Sequence, residues 1–359
     1  MTMHIPENYL SPATCAVMGA AMIPVWVHSI RKVAKEMPKE KVPMIGVGAA
    51  FSFLSMMFNV PLVGGTTGHA VGGTLIAILL GPEVSCLAVS VALLLQAVLF
   101  GDGGILAFGA NCFNMAFVLP FVGYYVYRLI LKLFGGSEKA NTAQQCVAAG
   151  IGSYLGINAA ALLAAIEFGI QPLLFTDAAG QALYCPYGLN VAIPAMMIPH
   201  LAVAGFVEAA FTVVIYLFVK KTAPGMMYDP ALAAGGGDAS GLETSGQKKK
   251  RTFPVYILLA VLIVATPLGL LAAGTAWGEW GADEIAGIVT NGTALGYTPK
   301  GLEEGWSLNV LFPDYTMGGV GEIAAYILSA IIGVALLIII FKLISILMKG
   351  KNQRNRSAA

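Results

Sequence analysis

Two of the chain's four histidines stand where they could hold a metal ion. His4 lies near the start, in MTMHIPENYLSP, and His69 lies in a glycine-rich stretch, GGTTGHAVGG, at 64–73. Neutral imidazole is the commonest nitrogen ligand for borderline transition metals. A histidine directly after a free amino terminus has a further property. The amine, the histidine's own deprotonated amide nitrogen and its Nδ1 close a five-membered and a six-membered ring on one ion. A distant imidazole then completes four nitrogens in a plane, a geometry suited to Ni2+ or Cu2+ and open to low-spin Co2+. Counted from Met1, His4 is the fourth residue and this compact chelate does not form. Counted from Met3 it does. The expectation is therefore a metal site of Met3 (amine), His4 (amide and ring) and His69. A looser site needs only the two histidines. The competing reading has both at a membrane interface, bonded to backbone. The glycines around His69 tilt toward the ligand reading, because they let backbone approach closely and tolerate unusual turns. Asn59, shortly before Pro61, is either a hydrogen-bond partner behind the ligands or a turn residue.

The remaining polar residues in apolar stretches are read as structural. His200 follows Pro199, and Glu208 lies eight residues on, about 80° around a helix. Ionisable groups inside a membrane are costly and pair where they can, so these two are expected to pair and hold helices together. Gln96, Asn111, Asn114 and Glu167 are treated alike, and Asp102 in GDGG is read as a turn residue at the outer surface. No phosphate-cradling G-x-x-x-x-G-K-[ST], nucleophile elbow or H-E-x-x-H occurs. The chain is thus expected to be no enzyme, with no catalytic cofactor. The five cysteines are scattered without a C-x-x-C and read as packing residues.

The elements that must position the histidines are membrane helices. Of the 359 residues, 57% are hydrophobic and 11% charged, against about 25% charged in soluble domains. Several uncharged runs approach the roughly 20 residues that span a bilayer. Net charge is +1, which gives no signal for a nucleic-acid partner. No Lys or Arg precedes Arg31, so the first apolar run reads as a retained helix rather than a secretory signal. Basic residues cluster at 31–41, 128–139, 220–251 and 342–356. The positive-inside rule places all four in the cytoplasm and the N-terminus outside. An even number of crossings must then lie between Lys41 and Arg128, which requires the run 71–99 to break at Gly81-Pro82, where proline ends a helix. The expected spans are about 9–30, 44–62, 71–81, 82–99, 104–127, 143–169 and 190–219. The fold class is all-α: a polytopic membrane bundle of about seven spans plus a C-terminal two-span module, about nine in total. The domains are a metal-binding unit at 1–222, a flexible cytoplasmic linker at 223–252, rich in small and polar residues, and an accessory module at 253–359. That module has spans near 254–275 and 321–348, with an external loop at 276–320.

At these residues the chain resembles a known family. MHIPENYLSP, GGTTGHAVGGTLIAILLGPE, LLLQAVLFGDGGILAFGANCFNMAF and PHLAVAGFVEAAFT are similar to the substrate-binding membrane subunit of energy-coupling-factor transporters for cobalt or nickel, the CbiM/NikM type, over about 3–222. The second module resembles the small accessory subunit of these systems. Its KGLEEG matches the family's Pro-Asp-Gly-Leu-Glu pattern at Gly301, Leu302 and Glu303 and departs from it at Lys300. The resemblance implies an N-terminus folded into the external half of the bundle. It implies metal ligation by the amine of the starting Met, the amide and ring of the following His, and a loop His, which map to Met3, His4 and His69. It implies Co2+ or Ni2+ as transported substrate. It also implies a transmembrane coupling (T) subunit and two cytoplasmic ATPase (A) subunits as partners, in the plasma (inner) membrane. The alternatives are a self-sufficient, ion-coupled secondary metal transporter, which wants an acidic relay, and a subunit binding an organic vitamin, which wants aromatic-rich external loops.

Overall fold

A computed structural model of the chain describes residues 4–38, 41–224, 228, 245–272, 274–290 and 292–357. Met3 therefore lies outside the described residues, as does most of the expected linker.

Helix α1 (Pro12–Glu36) starts at Ser11, whose side chain accepts from the Thr14 amide at the N-cap. Helix α2 (Pro43–Met56) and helix α3 (Gly73–Leu80) flank a two-stranded ribbon, β1 (Asn59–Pro61) antiparallel to β2 (Thr67–His69). The expected break falls where the sequence places it. Gly81 closes α3 with φ +101°, and Pro82 opens α4 (Pro82–Leu95), which runs on through a π-helical turn, Gln96–Phe100. Glu83 lies in the first turn of α4, suited to the helix dipole, and its carboxylate accepts from Lys32 Nζ at 2.7 Å.

The next span joins α5 (Phe108–Asn111) to α6 (Leu119–Leu133) through a π-helical stretch, Cys112–Val118. Helix α7 (Thr142–Gly169) begins with a capping box of Asn141 and Gln144 and continues into α8 (Gln171–Leu174). Helix α9 (Leu189–Pro199), a π-turn at His200–Ala204 and α10 (Gly205–Thr222) form one span. The accessory module contributes α11 (Ser245–Ala265), the short α12 (Lys300–Glu303) and α13 (Glu322–Ser357).

Seven helices among the described residues are long and apolar enough to cross a membrane. The other two expected spans are short: α2 has 14 residues and α3 eight. Both are enclosed by the rest. Every residue from Ile45 to Met56 is buried, as is every residue from Gly73 to Leu79. A helix too short to span is tolerated at membrane depth when protein surrounds it. The five cysteines are free, and all but Cys146 are buried.

The accessory module lies against the main bundle. Tyr326 on α13 donates to the Met57 carbonyl at 2.9 Å, and Val334, Leu337 and Phe341 join the main apolar core. A second, smaller core gathers Ile5, Tyr9 and Leu10 of the N-terminal segment, Phe168 and Tyr187 of the bundle, and Ile285 of the accessory loop, with Trp277, Trp280 and Leu302 packed on it.

Candidate metal centre

The N-terminal segment reaches the end of the bundle where the β-ribbon sits. Its described residues before α1 form no helix or strand, so their backbone groups need partners from elsewhere. Asn111 accepts from the Ile5 amide (2.8 Å) and donates to the Ile5 carbonyl (3.0 Å). Gly104 donates to that same carbonyl at 2.9 Å. The Glu7 carboxylate accepts from the Ile105 and Leu106 amides at 2.6 and 3.1 Å. Gln171 accepts from the Ser11 amide at 3.0 Å, and the Cys185 amide donates to the Tyr9 carbonyl at 3.0 Å. These bonds fix an irregular segment in one place and carry His4 into the interior, where 3% of it stays exposed.

His69 arrives from the opposite direction, at the end of β2. The ribbon register sets Asn59 directly across from it, and opposed residues in an antiparallel pair project from the same face. Asn59 is buried, and its Oδ1 has no hydrogen-bond partner among the described residues. Past His69 the chain is held by two helices. Ser52 on α2 donates to the Val71 carbonyl at 2.8 Å. Glu208 on α10 accepts from the Val71 amide at 2.8 Å and the Gly72 amide at 3.1 Å, ahead of α3. Gly72 has φ +71°, and a Cβ there would lie 2.6 Å from a Phe51 ring carbon, so only glycine fits.

The two imidazole centres come within 5.2 Å, with their planes tilted 35°. With metal–nitrogen bonds of about 2.0–2.1 Å, two rings in adjacent positions on one ion have centres on the order of 4.5–5.5 Å apart. His69 directs Nδ1 to the Ala70 carbonyl at 3.2 Å, which makes Nδ1 the protonated nitrogen and leaves Nε2 with its lone pair. That Nε2 is buried with no hydrogen-bond partner among the described residues. Burial and the neighbouring His4 push the His69 pKa down to about 3, so the ring stays neutral and able to ligate across the physiological range.

His4 directs Nδ1 to Asp102 Oδ1 at 2.6 Å. The other carboxylate oxygen accepts from Gln96 Nε2 at 3.0 Å and from the Tyr315 hydroxyl. Burial works to raise the Asp102 pKa, but His4 and the Tyr315 hydroxyl beside it together hold it below the ordinary carboxylate range. Asp102 thus departs from its expected role as a turn residue at the outer surface. It is 8% exposed and bonded to His4. The turn chemistry of GDGG is real, with Gly101 and Gly103 both at positive φ, but it turns the carboxylate inward.

His200 and Glu208 do not behave as expected either. His200 Nδ1 meets the Met196 carbonyl at 2.6 Å, and Glu208 holds the loop after His69. A polar carboxylate on a buried helix reads as an ion-pair partner when only the helix face is considered; here the nearest unsatisfied groups are two amides. His200, His69, Asn111 and Asn114 line a cavity of about 30 Å³, room for a water-sized guest.

The chain is similar to known proteins in sequence and in fold. A model described as the cobalt uptake substrate-specific transmembrane region, CbiM, matches residues 4–226. The chain belongs to the CbiM family. A PDGLE domain model matches residues 251–350, so this CbiM chain carries a second, fused domain. It is 48% identical over 342 residues to a probable fused nickel transport protein LarMN of Lactiplantibacillus plantarum, covering 95% of this chain and 97% of that one. It is 43% identical over 349 residues to a fused nickel transport protein NikMN of Rhodobacter capsulatus, covering 94% and 95%. The crystal structure of a truncated transition metal transporter shares 57% identity at TM-score 0.57, covering 61% of this chain and 99% of that one. As a CbiM protein with seven helices long enough to cross a bilayer, the chain is a multi-pass membrane protein of a metal-transport family.

Proposed function

We propose that this chain is the substrate-specific membrane subunit of an energy-coupling-factor importer, taking up Co2+ or Ni2+ from outside the cell. His4 and His69 hold the ion. The approach of two buried imidazoles to 5.2 Å across 65 residues of sequence is the observation that carries this reading. In a chain whose first residue is Met3, through a downstream start or trimming, its amine is the third donor, and Asn59, directly across the ribbon from His69, offers an oxygen with no partner among the described residues. A compact chelate through His4 Nδ1 takes that nitrogen from Asp102, whereas ligation through Nε2 leaves the Asp102 bond in place. Nickel is favoured by the names of the two fused relatives, which align over nearly the whole chain.

The ion enters at the end of the bundle that carries His4 and His69, and this end faces outward. The N-terminus is then external and the C-terminus cytoplasmic, in the plasma (inner) membrane. The partners are a transmembrane coupling subunit and two cytoplasmic ATPase subunits, which hydrolyse ATP for the switch in exposure. Residues 1–222 form the metal-binding unit, 223–252 the linker and 253–359 the accessory module. Glu208 is engaged in holding the loop after His69, which supports a passive binding subunit over a chain with its own acidic relay. Ni2+ titration of purified full-length chain, with its first residue verified, tests the site. Uptake into proteoliposomes with and without the ATPase partners tests the coupling, and robust uptake by the chain alone contradicts it.

A further inference from the structure

We propose that His200 and Asn114 form, with His69, a second seat for the divalent ion, in the cavity beside the His69 ring. The seat rests on the reading of His69 as a ligand, and it needs neither His4 nor the Met3 amine. The cavity, of about 30 Å³, has four polar residues in its lining: His69, Asn111, Asn114 and His200. Asn111 is already engaged, since both ends of its amide are bonded to the Ile5 backbone. The other three each keep one buried polar atom with no hydrogen-bond partner among the described residues: His69 Nε2, Asn114 Oδ1 and His200 Nε2. All three are acceptors. The Nδ1 of each histidine faces a backbone carbonyl, Ala70 for His69 at 3.2 Å and Met196 for His200 at 2.6 Å. Each Nδ1 therefore carries the proton and each Nε2 a lone pair. Asn114 donates its Nδ2 to Glu167 Oε2 at 2.9 Å, which makes its other end the carbonyl oxygen.

Three acceptors around room for one water call for a cation. A water donates two hydrogens, so one acceptor would stay unsatisfied, and a buried acceptor without a donor is costly. A cation takes lone pairs from all three. Two neutral imidazoles and an amide oxygen suit a borderline transition metal. At metal–nitrogen bonds of about 2.0–2.1 Å the ion needs no more room than a water. Behind Asn114 lies the buried Glu167 carboxylate, whose Oε1 has no hydrogen-bond partner among the described residues. A cation in the cavity offsets its charge in a setting of low dielectric. The backbone also departs from regular helix where it presents these side chains. His200 opens the π-helical turn His200–Ala204, and Asn114 lies in the π-helical stretch Cys112–Val118. Such turns are rare and frequent at functional sites. His69 Nε2 has one lone pair, so an ion occupies one seat or the other and the chain holds one at a time.

The test uses the full-length chain beginning at Met1, in which the compact chelate does not form, with His4→Ala to remove the other ring. Ni2+ titration of this variant is compared with the same chain carrying His200→Phe or Asn114→Leu as well, each checked by thermal unfolding of metal-free protein. The His4→Ala chain is expected to hold one Ni2+, with scattering from two imidazoles at the nickel absorption edge. His200→Phe keeps the bulk of the ring and removes its donor. Loss of a partner behind a ligand already costs about 10–100-fold, so loss of the ligand itself is expected to weaken binding at least about tenfold and to leave one imidazole in the shell. Asn114→Leu is expected to weaken binding with both imidazoles kept, and it decides the matter should His200→Phe fail to fold. Unchanged affinity in these variants overturns the second seat, as does loss of all Ni2+ binding by His4→Ala alone; either result leaves the pairing of His4 with His69 standing. If instead the unmodified chain binds no Ni2+, or His69→Ala binds as tightly as the parent, the metal-site reading itself has failed.

Discussion

His69 illustrates how burial would prepare the proposed metal ligand. Its Nδ1–H is committed to the Ala70 carbonyl, and its Nε2 has lost water without gaining a hydrogen-bond partner among the described residues. An orphaned buried nitrogen is costly, and a cation removes that cost. Replacing the ring by alanine is expected to lower Ni2+ affinity at least tenfold while leaving the fold intact, measured by titration alongside thermal unfolding. The same burial has a pH consequence. A histidine held neutral, with a pKa near 3, binds its proton in the unfolded chain first. Stability from this group is whole above about pH 6.5 and declines as pH falls from there toward 3. Metal-free His69→Gln is expected to show a shallower loss of stability over that window by denaturant or thermal unfolding. The histidine pair was legible in the sequence because four histidines in 359 residues leave few candidates, and a glycine-rich setting marks one of them. Asp102 was not legible. An aspartate between glycines signals a turn, and nothing local says which way the turn points its carboxylate.

At the scale of elements, the site depends on short pieces that cannot stand alone. The loop from His69 to α3 carries no regular hydrogen bonding of its own, and Glu208 supplies acceptors for two of its amides. Glu208→Gln retains one acceptor oxygen and loses the charge. It is expected to reduce thermal stability and to weaken Ni2+ binding several-fold, with no ligand touched. Gly72→Ala forces a Cβ against Phe51 in a left-handed backbone, and destabilisation of about 1–3 kcal/mol follows, seen as a lowered midpoint of unfolding. The helix breaks that define these pieces were legible, since Gly81-Pro82 can end only one helix and start another. The shortness of α2 was not. The apolar run continues to Leu62, but β1 and β2 take its last residues into a ribbon. The pairing between Asn59 and His69 that decides this is a contact between segments, which periodicity within one segment does not report.

Over the whole molecule, two modules share one end of the bundle. Gly301, in the family's accessory pattern, donates its amide to the Leu183 carbonyl at 2.7 Å, and a Cβ there would lie 2.6 Å from that same oxygen. Gly301→Ala is expected to loosen the loop at 276–320, measured as faster amide exchange or proteolysis there. The resemblance carried by KGLEEG pointed to a small accessory subunit, and the spans near 254–275 and 321–348 fall where they were read, at Phe253–Leu271 and Glu322–Met348. The contact of Tyr315 with Asp102 lay beyond reach of the sequence, because a tyrosine at the end of a polar loop carries no sign of the carboxylate it will meet 213 residues back. The central claim is that one divalent ion sits between the rings of His4 and His69. X-ray absorption at the nickel edge of the loaded full-length chain tests it most directly. The account predicts one ion per chain in a shell of nitrogen and oxygen donors, with outer-shell scattering from two imidazoles that falls to one in His69→Ala; a shell containing sulfur, or imidazole scattering that the substitution leaves unchanged, contradicts it.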